Sequence, residues 1–261
     1  MQKHILKEKL VSLRLMCRSA TRTVIRKRGG TIREKKILSM QLMKIDHIKI
    51  LFVVGLILSA CGGNNTDSHV DNPGDDKSAK DKLLETGADL LQKKTPLHKV
   101  NTYLDGFHFY NGNMKAQMEA HHYVSQLSED MYQAIIYDGN GEDAKIMGVE
   151  YIVTEKLFKT LNEEEKKLWH SHRYEVKSGQ LIAPGIPEVV EHELMEKLVS
   201  TYGKTIHTWH TDQERELPIG SPMVMMGFTK DGQLNPKLLA ERDKRFNIKT
   251  EEKKENRKDI P

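Results

Sequence analysis

The sequence predicts an α+β fold: a single domain with a small, mostly antiparallel sheet and flanking helices. Three observations point there. Short stretches alternate apolar and polar residues, as half-buried strands do. Two of them bracket the glycine-rich turn Asp138-Gly139-Asn140-Gly141. Amphipathic stretches with helical periodicity lie between the strands, with no internal repeat and no regular strand–helix alternation.

Taken in order, residues 61–81 are small, polar and acidic, and are expected to form a flexible tether because they bury too little apolar surface to offset ordering. Leu83, Leu84, Ala88 and Leu91 fall near helical spacing, which places a linker helix within 82–96, closed by Pro96. The globular domain is expected over 97–228. In it, 106–110 reads as a strand stopped by Asn111-Gly112-Asn113, 114–127 as a helix, and 133–137 with 145–153 as a hairpin. Segments 154–160 and 162–169 read as short helices, the second with Asn162 and Glu165 close to capping-box spacing. Residues 173–176 and 181–183 read as short extended pieces. An amphipathic helix is expected over 187–200, striped by Val190, Leu194 and Leu198, and strands over 205–211 and 223–228. Residues 229–261 read as a charged tail, frayed past Phe246.

The N-terminal part reads differently. Residues 1–42 hold twelve Lys/Arg and two Asp/Glu, a charge of +10, and are either a gene-model extension upstream of a later start or a basic arm. Residues 43–60 read as a lipoprotein signal peptide: Lys44 and Lys49 flank an apolar run at 50–58, which is shorter than the about 20 residues a helix needs to span a bilayer. Leu58-Ser59-Ala60-Cys61 follows at once, a branched apolar residue and two small ones before a cysteine. The thiol of Cys61 is the expected attachment point for diacylglycerol, whose two chains suffice for stable anchoring. This places the mature domain outside the cytoplasm, on a membrane of the bacterial cell envelope. Taking +10 for 1–42 and +1 for 43–60 from the overall +4 leaves residues 61–261 at −7, which disfavours nucleic acid as a partner. With only Cys17 and Cys61 in the chain, no disulfide framework is available.

Histidine carries the chemical interest. Glu119-Ala120-His121-His122-Tyr123 and Trp169-His170-Ser171-His172 concentrate it. On a helix Glu119 and His122 would share a face, and in an extended segment His170 and His172 would point the same way. With His108 as a further candidate, these residues could surround a zinc, manganese or iron ion, with Glu150 or Glu175 as a catalytic base. A buried polar network that fixes the fold, or a metal-free catalytic pair, explains the same residues. No His-Glu-x-x-His, Gly-x-Ser-x-Gly elbow, P-loop or dinucleotide fingerprint is present. Ser171 is badly placed to act with its neighbouring histidines. The acidic turn at 138–143 lacks EF-hand spacing and reads as a hairpin turn. Met223, Met225 and Met226 read as core, and the alternation of His207 and Trp209 suits a pocket wall or a core edge.

Several of these strings, with Gly106-Phe107-His108-Phe109-Tyr110, Gly148-Val149-Glu150-Tyr151-Ile152, Tyr174-Glu175-Val176-Lys177-Ser178-Gly179 and Tyr202-Gly203-Lys204, closely resemble the oil body-associated protein family over about 97–226. The resemblance implies one compact domain and, in plants, association with lipid droplets. It supplies no established activity or cofactor. Two functional expectations follow: a lipid-anchored binding or structural domain holding a lipid or other apolar ligand, and a divalent-metal-dependent, hydrolase-like enzyme.

Overall fold

A computed structural model of the chain describes residues 65–261; the basic segment, the expected signal peptide and Cys61 lie outside the described residues. Seven strands form one sheet: β1 (Thr102–Tyr110), β2 (Asn113–Ser128), β3 (Met131–Tyr137), β4 (Ile146–Thr154), β5 (His170–Ser171), β6 (Thr201–His207) and β7 (Met223–Met226). The order is β4-β3-β2-β1-β7-β6-β5, and β4 also pairs with β6, from Gly148↔His207 to Thr154↔Thr201. That pairing closes β1, β2, β3, β4, β6 and β7 into an antiparallel barrel, with β5 beside the first half of β6. The α+β character and antiparallel pairing agree with the sequence; the sheet is larger than expected, and closed.

The segment 114–127, expected to be a helix, is the long strand β2. Met118, Ala120, His122 and Val124 recur every second residue and share one face, whereas Glu119, His121 and Tyr123 share the other. Because the middle of both faces is buried, the alternation of polarity that marks a half-exposed strand is absent. The hairpin β3–β4 forms as expected. Its turn is held by Asp138, whose side chain accepts from the Lys145 N–H at 2.7 Å.

Two apolar layers fill the barrel. Leu104, Val124, Ala134 and Ile152 pack with residues of the covering helices, and Tyr110, Met118, Ala120, Ile136, Met147 and Met225 form a second cluster. The helices are α1 (Ala79–Leu91), α2 (Glu155–Phe158), α3 (Glu163–Lys166), α4 (Arg173–Lys177), α5 (Glu188–Leu198), α6 (Pro236–Phe246) and α7 (Thr250–Asn256). Helix α3 is capped by the Asn162 side chain on the Glu165 N–H at 2.8 Å. The 173–176 segment is helical rather than extended. Helix α1 leaves Leu83, Leu84, Leu90 and Leu91 exposed.

Two compositional readings need correction. The described part of the tether is tied to the barrel: Ser68 donates to Asp138 at 2.8 Å, and the Thr66 N–H donates to Asn140 at 2.7 Å. The charged stretch 229–261 is no frayed tail. Leu238 and Leu239 of α6 pack on Phe107, Phe109 and Phe228 outside the barrel. Arg242, fully buried, donates to Asp105 at 3.3 Å, to the Gln180 carbonyl at 2.9 Å and to Thr250 at 2.9 Å, and stacks over Phe107. Arg257 donates to the carbonyls of Val176 and Leu181 and faces Glu191 at 3.2 Å. Composition alone scored these arginines as solvent-facing; each is the partner of a buried carboxylate.

Removing one member of a buried ion pair strands the other, at a cost of about 3–5 kcal/mol. Arg242→Ala should therefore lower the unfolding free energy in urea by about that amount. Lysine should not restore it, because it cannot reproduce the forked donor pattern. A loss below about 1 kcal/mol, within the range of an exposed pair, would show that the C-terminal helices do not anchor the domain.

Candidate functional site

Between the two apolar layers lies a polar one. Strand periodicity places His108 of β1, His122 of β2, Glu150 of β4 and His207 of β6 in the lumen, all buried. The short strand β5 brings in His170, the N-cap of α4 is His172, and α4 itself carries Glu175. The polar layer borders a cavity of about 10 Å³ lined by His108, His122, Glu150, His172 and Glu175.

Glu150 is the hub. One of its oxygens, Oε2, lies 3.0 Å from His122 Nε2. The other, Oε1, lies 3.1 Å from His172 Nε2 and 3.6 Å from His170 Nε2. His170 Nε2 is also 4.0 Å from Glu175 Oε2. The His108 ring stands edge-on to those of His122, His170 and His207, with centroids 5.0, 5.4 and 5.7 Å away. Two glycines make room for this packing. A Cβ at Gly203 would sit 2.8 Å from His172 Nε2 and would overlap the Glu150 carboxylate. One at Gly227 would sit 2.8 Å from the His170 ring and 2.9 Å from Glu175.

The proton on His172 can be placed. Thr201 Oγ1 donates its hydrogen to the Leu198 carbonyl at 2.7 Å, so toward His172 Nδ1, 2.8 Å away, it can only accept. Nδ1 therefore carries the proton, and in the neutral ring Nε2 presents a lone pair to a carboxylate oxygen. Two lone pairs 3.1 Å apart need a cation between them: a second proton on the imidazole, or a metal. A hydrogen bond that fixes the far nitrogen is also how proteins orient a metal-ligating histidine.

Burial makes three of the lumen imidazoles poor bases. It pushes His170 and His207 down to about 3, and His108 well below the usual histidine range. For Glu150 burial acts upward, but hydrogen bonds from His122 and His172 outweigh it together with their charge and hold the carboxyl well below its usual value. Burial, with Glu150 close by, holds Glu175 well above its own. The lumen thus combines neutral imidazoles at His108, His170 and His207 with a carboxylate at Glu150 and a carboxylic acid at Glu175. Among the described residues, neither ring nitrogen of His170 or His207 has a hydrogen-bond partner, nor does Nδ1 of His108 or His122. Six buried polar atoms without partners mark a site that is incomplete by itself. Neutral imidazole nitrogens and carboxylate oxygens suit zinc, manganese or iron. His108, Glu150 and His170 each offer a donor atom within 4.8 Å of the others, and so do His170, His172 and Glu175.

The other candidates lie elsewhere. Because β2 is a strand, Glu119 and His121 are on the outer face and do not join His122. There His121 Nδ1 is 2.8 Å from the Tyr103 hydroxyl and 3.2 Å from Asp105 Oδ2, and its Nε2 is 3.7 Å from Glu119. These three could also converge on an ion. However, Arg242 already faces Asp105, and Arg245 is bonded to Glu119, so the carboxylates have their counter-charges. The lumen has none except its histidines. Sequence reasoning placed His207 only on a pocket wall or core edge, and missed Thr201 and the two glycines as parts of this site. The alternation Thr201-x-Gly203-x-Thr205-x-His207, small or polar residues on a buried face, was the available clue.

The matched families enter here. The family model described as "Protein of unknown function (DUF1264)" matches residues 94–261. The chain is similar to oil body-associated protein 1B of Arabidopsis thaliana, 44% identical over 185 residues, covering 71% of this chain and 77% of the relative. Oil body-associated protein 1A of Zea mays is 44% identical over 189 residues, 72% of this chain and 79% of the relative. Oil body-associated protein 2C of Arabidopsis thaliana is 37% identical over 190 residues, 72% and 80% respectively. No solved structure matches. The whole lumen constellation falls inside the matched segment, and Cys61 falls outside it.

The buried histidines also set an acid limit. In chelator-treated protein, the unfolded chain takes up a proton on each histidine near pH 6.5, whereas folded His170 and His207 resist until about 3. Between those values the unfolded state binds more protons, so stability falls as the pH falls. The unfolding free energy should be flat above about pH 6.5 and drop steadily below it, by up to about 1.4 kcal/mol per pH unit per histidine. Constant stability from pH 7 to 4 in urea titrations would refute the neutral, buried assignment.

Proposed function

This chain belongs to the oil body-associated protein family, the DUF1264 proteins of unknown function, and on that premise we propose that it is a lipid-anchored protein of the bacterial cell envelope whose barrel binds a divalent metal ion in its lumen. The observation that carries the metal reading is the facing pair His172 Nε2 and Glu150 Oε1, with the proton of His172 committed to its other nitrogen. Bond lengths of about 2.0–2.2 Å place neighbouring ligand atoms roughly 3.0–3.5 Å apart around a tetrahedral or octahedral ion. The 3.0, 3.1 and 3.6 Å contacts of Glu150 fall in or next to that range. Zinc, manganese and iron are the ions the donor set suits.

The anchor is Cys61, carrying diacylglycerol after cleavage behind Ala60; the support is the string Leu58-Ser59-Ala60-Cys61 and its flanks. Among the described residues no helix is long and apolar enough to cross a membrane. If the ion has a free coordination position, it supplies Lewis acidity toward a bound water. Where the ion is held by Glu150 and the histidines, leaving Glu175 uncoordinated beside His170, Glu175 would then give or take the proton. The cavity has room for about one water, which favours ion binding, or chemistry on a very small molecule, over hydrolysis of a bulky substrate.

A second reading, an apolar ligand or lipid, is favoured by one feature outside the barrel. A groove of about 200 Å³ is lined by Leu97, Val100, Tyr123, Ile135, Val149 and Tyr151, and leaves Val149 and Tyr151 exposed. The name of the plant relatives points the same way.

Protein purified without chelator should carry at least one zinc, manganese or iron per chain by elemental analysis, and metal at a hundredfold excess over its dissociation constant should add about 2.7 kcal/mol of stability. Glu150→Gln, which keeps shape and removes charge, should abolish both. Chains free of metal as isolated, with no thermal shift on adding any of the three ions, would defeat the reading. For the anchor, palmitate label should be incorporated by the wild type and lost in Cys61→Ser; retained label would exclude this attachment point.

A further inference from the structure

We infer that the barrel sits on the membrane with one end down: the end formed by the β3–β4 turn and the 208–222 loop rests on the bilayer surface. This rests on the lipid anchor at Cys61 proposed above and adds the face that meets lipid. Chain length carries it. Only residues 62–65 separate Cys61 from Thr66. An extended chain advances at most about 3.6 Å per residue, so the Cα of the acylated cysteine stays within about 18 Å of that of Thr66. Thr66 in turn is fastened to the barrel. Its N–H donates to the Asn140 side chain at 2.7 Å, and its carbonyl accepts from the Asn140 N–H at 3.1 Å. Ser68 and the His69 N–H both donate to Asp138. These bonds pin the chain to the β3–β4 turn. The seven residues of β3 put the opposite end of the barrel about 20 Å further along the strand, so the anchor selects which end lies near lipid.

The surface at that end suits the position. The 208–222 loop leaves β6 beside β4, where the N–H groups of Thr208 and Trp209 both donate to the Met147 carbonyl. It returns at Met223, opposite His207, so both of its roots lie at the turn end of the barrel. The loop is folded on itself: Trp209 Nε1 donates to the Arg215 carbonyl at 2.8 Å, and Arg215 donates to the Ile219 carbonyl at 3.3 Å. Leu217 and Ile219 are left 52% and 59% exposed, and Ile146 and Met223, near its roots, are exposed as well. Large apolar side chains of this kind enter the boundary between headgroups and acyl chains. The exposed charges of the same end are acidic, Glu142, Asp143, Glu214 and Glu216, so the surface that fits is zwitterionic rather than anionic lipid. Such a loop binds a free vesicle weakly. A short linker raises its local concentration to about millimolar, which lets a weak contact persist.

The test uses the full chain expressed in a bacterium, with one cysteine added for a nitrobenzoxadiazole probe. Ile219→Cys places the probe on the loop, and Glu129→Cys, exposed at the far end of the barrel, is the control. Mass spectrometry of the amino terminus reports acylation. In phosphatidylcholine vesicles, lipids with a nitroxide near the headgroup should quench the probe at 219 severalfold more than the probe at 129. Replacing part of the lipid with phosphatidylglycerol at low salt should narrow that difference. Equal quenching at the two positions in acylated, vesicle-bound chain overturns the seating while leaving the anchor intact. A probe at 219 that is shielded from the quencher, in chains that cross-link to one another through 219, gives the face to a second copy and overturns the seating too. A chain that is not acylated and stays out of the vesicles overturns anchor and seating together.

Discussion

The buried charge of Glu150 is the constraint around which the domain is organised. The β4–β6 pairing closes the sheet, so the lumen has no sheet edge through which water can hydrate a carboxylate. An isolated carboxylate in such a place would neutralise or unfold its surroundings. Here imidazoles surround it, Gly203 lets it approach β6, Gly227 makes room for His170 and Glu175 beside it, and a chain from Leu198 through Thr201 to His172 fixes the direction of one of those imidazoles. Apolar layers on either side keep the arrangement dry. A polar group placed in a low-dielectric interior interacts more strongly with whatever it faces, and is more costly if it faces nothing.

The same chain handles buried carboxylates in two ways. Outside the barrel, Asp105, Glu119 and Glu191 meet guanidinium groups from the C-terminal region: Arg242, Arg245 and Arg257. Arginine is permanently charged, and its forked donors suit a carboxylate, so these contacts fasten helices to the sheet. Inside, the counterparts are histidines, which can be neutral, offer lone pairs and accept an exchangeable cation. β2 displays both strategies at successive positions, with Glu119 and His121 outward and His122 inward. Clustering along the sequence is therefore no guide to clustering in space for a strand, whose adjacent residues point to opposite faces.

This distinction explains what was legible beforehand. The hairpin β3–β4, helix α5 and the capped α3 follow from local patterns that tertiary structure reinforces. His108, His122, His170, His172, Glu150 and Glu175 were recognisable as chemically unusual residues. Their common neighbourhood depends on barrel closure, a long-range event that no window of sequence contains. The helix expected over β2 failed because both faces of that strand are covered, erasing its alternation. The C-terminal stretch failed because mean charge does not distinguish a solvated arginine from one stacked on Phe107. His207 was read only as a pocket wall or core edge because its partners arrive from other strands.

Closure has a further consequence during synthesis. On its other edge β1 pairs with β7, Phe109 with Met226 and Tyr110 with Met225, so the ring cannot be completed until the chain has been made well beyond the middle of the domain. At roughly 5–20 residues per second, the intervening stretch takes several seconds or more to emerge. Throughout that interval the imidazoles of β1 and β2 face an open half-sheet. Whatever comes to occupy the lumen has its widest entrance then, and the last strand added works as a stopper.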